Sequence, residues 1–319
     1  MKLHPWLAHM LRFGFAALVV WLLVHAGALN PALLAAAVAK HPFLCLLAFL
    51  IYLIPIQLFA WLRWYWLLRA AKVPLSMAAS FRLHLVGLFF NGFLPGGTGG
   101  DLAKGWYLLK GRSRTESAAA LGTMVADRVT GLFGLIGLAA AANLINMRAW
   151  DSSPILTAQA VFILSLAGAI LLLTLAFLAP WKISLRSRDT VTKDGEPRGF
   201  LAEFALALAS FRKYPGAFLG AIGLSVAVHL CLIGVYALCA AALDSSLPFR
   251  LHAYVAPTLT LANGIPVSPA GLGVGEAAGM VLYKAVGATH GFAEIPALVH
   301  AVSIAVALLA APAYLLRKK

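Results

Sequence analysis

Apolar stretches of about 20 residues recur along this chain, each long enough to cross a hydrocarbon core of about 30 Å as a helix rising 1.5 Å per residue. Lipid offers the backbone no hydrogen-bond partner, so runs of this length must be helices. They cover 12–29, 43–68, 117–145, 155–180, 216–243 and 295–316. With 62% hydrophobic and 11% charged residues, against roughly 25% charged in ordinary soluble domains, a soluble fold is excluded. The net charge of +14 is not a nucleic-acid footprint, because the basic residues lie between apolar runs rather than on one face.

Two further apolar regions, 81–110 and 251–287, are broken in the middle by Gly and Pro. If both are re-entrant hairpins, all but Lys40, Arg148, Arg250 and Lys284 of the 25 Lys and Arg belong to the cytoplasmic side or face it. That satisfies the positive-inside rule with both termini cytoplasmic, in a bacterial-type inner membrane. The first run has a second reading as a signal peptide, with Ala26, Gly27 and Ala28 as its cleavage region. The expected fold is all-α and integral to the membrane, with about six spanning helices plus two oppositely oriented re-entrant helical hairpins in a 3+3 inverted repeat. One domain over 1–319 would hold repeat one at 12–145, repeat two at 155–316, and a cytoplasmic loop at 181–214. In that loop Phe200, Leu201, Phe204, Leu208 and Phe211 share one helical stripe, which reads as a membrane-surface helix or as an extension of a spanning helix.

Each broken region follows the tetrapeptide FRLH, at Phe81–His84 and at Phe249–His252. NGFLPGGTGGD then runs from Asn91 to Asp101, and NGIPVSPAGLGVGE from Asn263 to Glu276. Both place Asn-Gly, then proline, then glycines, then a carboxylate opening the next helix. Pro95, Pro266 and Pro269 interrupt the helical ladder, while Gly96, Gly97, Gly99, Gly100, Gly271, Gly273 and Gly275 allow the chain to turn back. Amides freed by such a turn must face protein or a wet cavity, and at a returning helix start they favour an anion such as a phosphate headgroup. Inverted repeats with broken helices meeting near the midplane are a transporter arrangement.

Asp101 and Glu276 have two readings: caps of the returning helices, or intramembrane carboxylates that exchange a proton or touch a headgroup. Lys104, on the same helix face as Asp101, balances it or meets a phosphate. Asp127 and Arg128 lie deep in an apolar run and point about 100° apart, so each needs a partner elsewhere. For Arg128 the candidates are Asp101 and Glu276, with a purely structural bridge between helices as the alternative. Cys45, Cys231 and Cys239 read as packing residues, the histidines lack metal-ligand spacing, and Trp61, Trp64, Tyr65 and Trp66 read as interface anchors. No cofactor is expected, and with no Walker loop or nucleophile elbow in the sequence, ATP coupling by this chain is not expected either.

At NGFLPGGTGGDLAKGWYLLKGR, ADRVTGL and PVSPAGLGVGE the sequence resembles the membrane domain of lysylphosphatidylglycerol synthases and related flippase-like proteins, over nearly its whole length. The resemblance maps Asn91, Pro95, Gly96, Gly97, Gly99, Gly100 and Asp101 onto the family's first hairpin, with Lys104 where arginine is common. Asp127 and Arg128 match its acid–arginine pair, and Pro269, Gly271, Gly273 and Glu276 match the second hairpin. Ala270 and Gly275 depart from the glycine and the bulkier or basic residue expected there. Lysyl transfer in those synthases belongs to a separate soluble domain, and RKK follows the last apolar run directly, so this chain is expected not to be an enzyme.

The resemblance implies a lipid flippase or transporter, with proton coupling through the embedded acids as one form, moving an anionic or modified phospholipid, a glycolipid or an isoprenoid-linked lipid. Its candidate substrate-binding residues are those above together with Asn263. The alternatives are a scaffold for lipid-synthesis enzymes and a membrane-embedded headgroup enzyme. Expected partners are membrane lipids, lipid-synthesis enzymes and a second copy of the chain, with no nucleic acid.

Overall fold

The computed structural model describes residues 30–178 apart from 93 and 95–98, residues 214–315 apart from 246 and 269, and positions 18, 21, 24 and 25. Most of the first apolar run with its signal-peptide reading, the loop and surface helix before Tyr214, and Pro95, Gly96, Gly97 and Pro269 therefore lie outside the described residues. Among the described residues the elements are helical and five helices are long and apolar enough to cross a membrane.

Helix α1 (Pro31–Lys40) starts where the Asn30 side chain accepts from the amides of Ala32 and Leu33, with proline in the first turn. The Asn30 amide itself donates to Glu294 Oε1 at 2.7 Å and ties this start to the last long helix. Helix α2 (Pro42–Ile51) runs through a π-helical turn, Tyr52–Ile56, into α3 (Gln57–Ala70). Pro55 lies inside that turn, and its missing amide hydrogen accounts for the widened ladder.

Helices α4 (Met77–Asn91) and α5 (Gly99–Leu109) form the first hairpin, and α9 (Phe249–Asn263) and α10 (Val274–Ala285) the second. These arms hold 15, 11, 15 and 12 residues. At 1.5 Å per residue each reaches only about 16 to 23 Å, short of a bilayer core. The remaining long helices are α6 (Arg114–Ile145), α7 (Pro154–Leu178), α8 (Pro215–Ala242) and α11 (Glu294–Leu309), with the short α12 (Ala311–Leu315) after them. A capping box opens α6: Ser113 Oγ accepts from the Glu116 amide, and Glu116 Oε2 accepts from the Ser113 amide at 2.9 Å.

Helix α8 is the central post, packed against α2, α3, α6, α9 and α11. Its contact with α6 is close because Gly134 has no side chain: a Cβ there would lie 2.5 Å from Ser225 Cβ. Tyr236, Tyr254 and Tyr283 are fully buried where α8, α9 and α10 meet, together with Ile233 and Leu259. Cys45, Cys231 and Cys239 are free thiols that pack in or against this core.

Two sequence readings need correction. Trp61 and Trp64 are not interface anchors but are buried between helices, and Trp64 has no exposed surface. Lipid is as apolar as a protein interior, so their placement rests on packing and on partners for the indole N–H. Trp61 Nε1 donates to Ser80 Oγ at 3.1 Å, and Trp64 Nε1 to Thr123 Oγ1 at 3.2 Å. The FRLH tetrapeptides are also not equivalent: Phe81 is the fifth residue of α4, whereas Phe249 is the first of α9. The feature the two hairpins share is the helix end, where each first arm finishes on asparagine with glycine as its C-cap.

Candidate functional site

A cavity of about 390 Å³ lies between the two hairpins and the long helices α3, α6, α8 and α11. Asn91 and Asn263, the last residues of α4 and α9, both line it. In the first hairpin Asn91 Oδ1 accepts from the Gly100 amide at 2.8 Å, so the asparagine satisfies an orphan donor of the returning helix. Gly100 can have no side chain, since a Cβ would sit 1.9 Å from the Gly87 carbonyl oxygen.

The second hairpin closes differently. Gly271 and Gly273 adopt φ values of +81° and +83°, and Glu276 Oε2 accepts from the Gly273 amide at 2.7 Å. Glu276 is thus the cap here, while Asn263 Oδ1 is buried with no hydrogen-bond partner among the described residues. The hairpin tips meet where the Ala270 amide points at the Leu94 carbonyl, 3.5 Å away.

Charge is distributed unevenly around the cavity. Arg63 of α3 donates through Nε to Asp127 Oδ1 at 2.7 Å and through Nη1 to Ser225 Oγ at 3.0 Å. Arg128 pairs with Asp101, which joins α6 to the start of α5 and selects one of the two partners the sequence left open. Lys104 is 4% exposed and makes no ion pair among the described residues; its Nζ stands 3.4 Å over the Trp64 ring. A cation over an indole face is attracted by the ring quadrupole. The lining therefore holds three basic side chains, Arg63, Lys104 and Arg128, against the carboxylates Asp101 and Asp127. On the second hairpin's side, His300 Nδ1 lies 2.7 Å from Glu276 Oε1, and His300 Nε2 is buried without a hydrogen-bond partner among the described residues.

Of the residues singled out from sequence, the structure brings Asn91, Asp101, Lys104, Asp127, Arg128 and Asn263 to this one cavity. Gly99 and Gly100 open α5, Gly271 and Gly273 shape the second turn, and Glu276 stands behind His300. Asp127 and Arg128 reach partners on different helices, as their angular separation requires. Ala270 adopts a left-handed φ of +51°, at the place where the family pattern led to an expectation of glycine. Gly275 is explained by crowding: a Cβ there would meet Asn263 Oδ1 at 2.4 Å and His300 Cε1 at 2.8 Å.

Sequence reasoning missed Arg63, His84, Gln57 and His300, all of which line the cavity. Arg63 carries the same signal as Arg128, an ionisable side chain inside an apolar run, but has no adjacent acid to single it out from the other basic residues. Among the described residues no three His, Cys, Asp or Glu side chains gather as a metal site. The arrangement is suited to holding an anion against a surplus cation, at a place where two broken helices present their ends.

The family model described as "Lysylphosphatidylglycerol synthase TM region" matches residues 9–311 of the chain. No curated protein and no solved structure matches it.

Proposed function

This chain belongs to the lysylphosphatidylglycerol synthase TM region family, which places it among membrane proteins of lipid metabolism or transport, and from that premise we propose that it moves a phosphate-bearing lipid between leaflets. The observation that carries the proposal is the convergence of both hairpin tips on one cavity in which Lys104 is a buried cation with no acidic partner among the described residues. A phosphate headgroup would supply the missing charge, while the acyl chains stay in hydrocarbon. The two hairpins would enter from opposite faces as halves of an inverted repeat, so that the cavity opens to either side in turn.

The test is leaflet exchange of headgroup-labelled lipids in liposomes holding the purified protein, read with a membrane-impermeant quencher. Exchange selective for anionic headgroups and lowered about tenfold or more in Lys104→Gln supports the reading. Absence of exchange for every lipid, with or without a proton gradient, rejects it. A second reading, an enzyme acting on the headgroup, is favoured by the Glu276–His300 pair, whose geometry is that of an oriented base. It predicts a change in lipid mass on incubation with the protein.

A further inference from the structure

A second hollow, of about 290 Å³, lies beside the polar cavity on the lipid-facing surface between the π-helical turn, α3, α4 and α11. Apart from Gln57 its lining is hydrocarbon: Ile54, Leu58, Phe81, Leu85 and Leu309 are among its walls. Ile54, Leu58, Phe81 and Leu309 are exposed, so the hollow is an open groove rather than a sealed void. Two residues, Gln57 and Leu88, line both the groove and the polar cavity, which makes the two spaces neighbours across a single layer of side chains.

The local chemistry of that layer is unusual for the lipid face of a helix. Pro55 widens the helix into a π turn, and Gln57 follows immediately. Its amide is turned inward: Nε2 donates to the Tyr52 carbonyl at 3.3 Å, and Oε1 lies 3.2 Å from His84 Nε2. The polar atoms are thereby spent on the cavity side, and the groove side is left apolar. π-Helical turns are rare and frequently mark functional sites, and Pro55 places one at this boundary.

We propose that the groove holds one acyl chain of the lipid whose headgroup occupies the cavity, with the Gln57–His84 pair as the threshold between tail and head. The inference rests on the proposed function and adds where the lipid enters: laterally, between α3 and α4. An annular lipid with no link to the cavity is the competing occupant. Continuity through Gln57 and Leu88 favours the substrate's own chain, because a headgroup in the cavity needs a path for its tail and the groove adjoins it.

The experiment uses the full chain in phosphatidylcholine vesicles containing phosphatidylglycerol with a photoactivatable diazirine in one acyl chain. Labelled residues are mapped by mass spectrometry. Labelling at Phe81, Leu85 and Leu309 is expected to exceed several-fold that at Leu171 and Leu172 of α7, which are exposed but line neither the groove nor the cavity. Leu85→Trp fills the groove and should slow leaflet exchange about tenfold, while Leu171→Trp, on an exposed face of α7 that lines neither space, should exchange like the wild type. Even labelling across these faces, or undiminished exchange in a folded Leu85→Trp protein, overturns the proposal. Wild-type protein that exchanges no lipid would defeat the transport reading instead, and the labelling contrast would still decide whether the groove holds a chain.

Discussion

Arg63 of α3 donates to Asp127 of α6 at the cavity wall, 2.7 Å apart with both side chains 12% exposed. The same guanidinium reaches Ser225 of α8, so three helices are pinned by one side chain. Removing either charge leaves the other buried and uncompensated, at a cost of about 3 to 5 kcal/mol. Arg63→Gln and Asp127→Asn are each expected to lower the thermal midpoint in detergent sharply. The double variant should recover part of the loss, because no uncompensated charge remains. A double variant no better than the worse single one would contradict the pairing.

Gly100 and Gly137 give a contrast within one protein. A methyl on Gly100 would collide with the Gly87 carbonyl, which is backbone and cannot swing away. Gly100→Ala is therefore expected to cost about 3 kcal/mol or more and to open the first hairpin. Gly137 has nothing within 4 Å of the same position, so Gly137→Ala should be neutral or slightly stabilising. Comparing the two thermal midpoints checks this, and equal midpoints would contradict the hairpin geometry.

Ala270 holds a left-handed φ of +51° at the tip of the second hairpin. Such a backbone costs a residue with a Cβ about 1 to 2 kcal/mol, partly offset by the lower entropy of its unfolded chain. Ala270→Gly should stabilise the protein by about 0.5 to 1 kcal/mol. Chemical denaturation in detergent, following Trp fluorescence, measures it.

Asp244, in the turn after α8, accepts from Lys40 Nζ at 2.6 Å and pairs with His41 Nε2 at 3.0 Å. These hydrogen bonds, that of Lys40 first, hold its carboxyl below the usual carboxylate range. A depressed carboxylate stabilises the fold fully above its unfolded value of about 3.9 and ceases to do so as pH falls through the folded value. The thermal midpoint should therefore decline below about pH 4 partly through this residue, and Asp244→Asn should remove that share of the slope. An unchanged slope in the variant would show that the cluster contributes nothing.

The sequence by itself determined that the chain lives in lipid and is helical, because runs such as 216–243 leave the backbone no other way to satisfy its hydrogen bonds. It also located both breaks, since proline and glycine act on the ladder locally, and it marked Asp101, Lys104, Asp127 and Arg128 through the cost of charge in hydrocarbon. It did not reveal which charges meet. Arg63 and Asp127 stand far apart along the chain, and their pairing depends on how α3, α6 and α8 pack. Trp64 read as an anchor because aromatic residues favour interfaces, and only packing turned it inward beneath Lys104. The repeated FRLH misled for a related reason: equivalence depends on register against the helix end, which a short identity does not carry. Local chemistry fixes where a membrane chain must be helical and where it must break, whereas the partner of a buried charge is decided by the side chains that tertiary packing brings within a few ångströms.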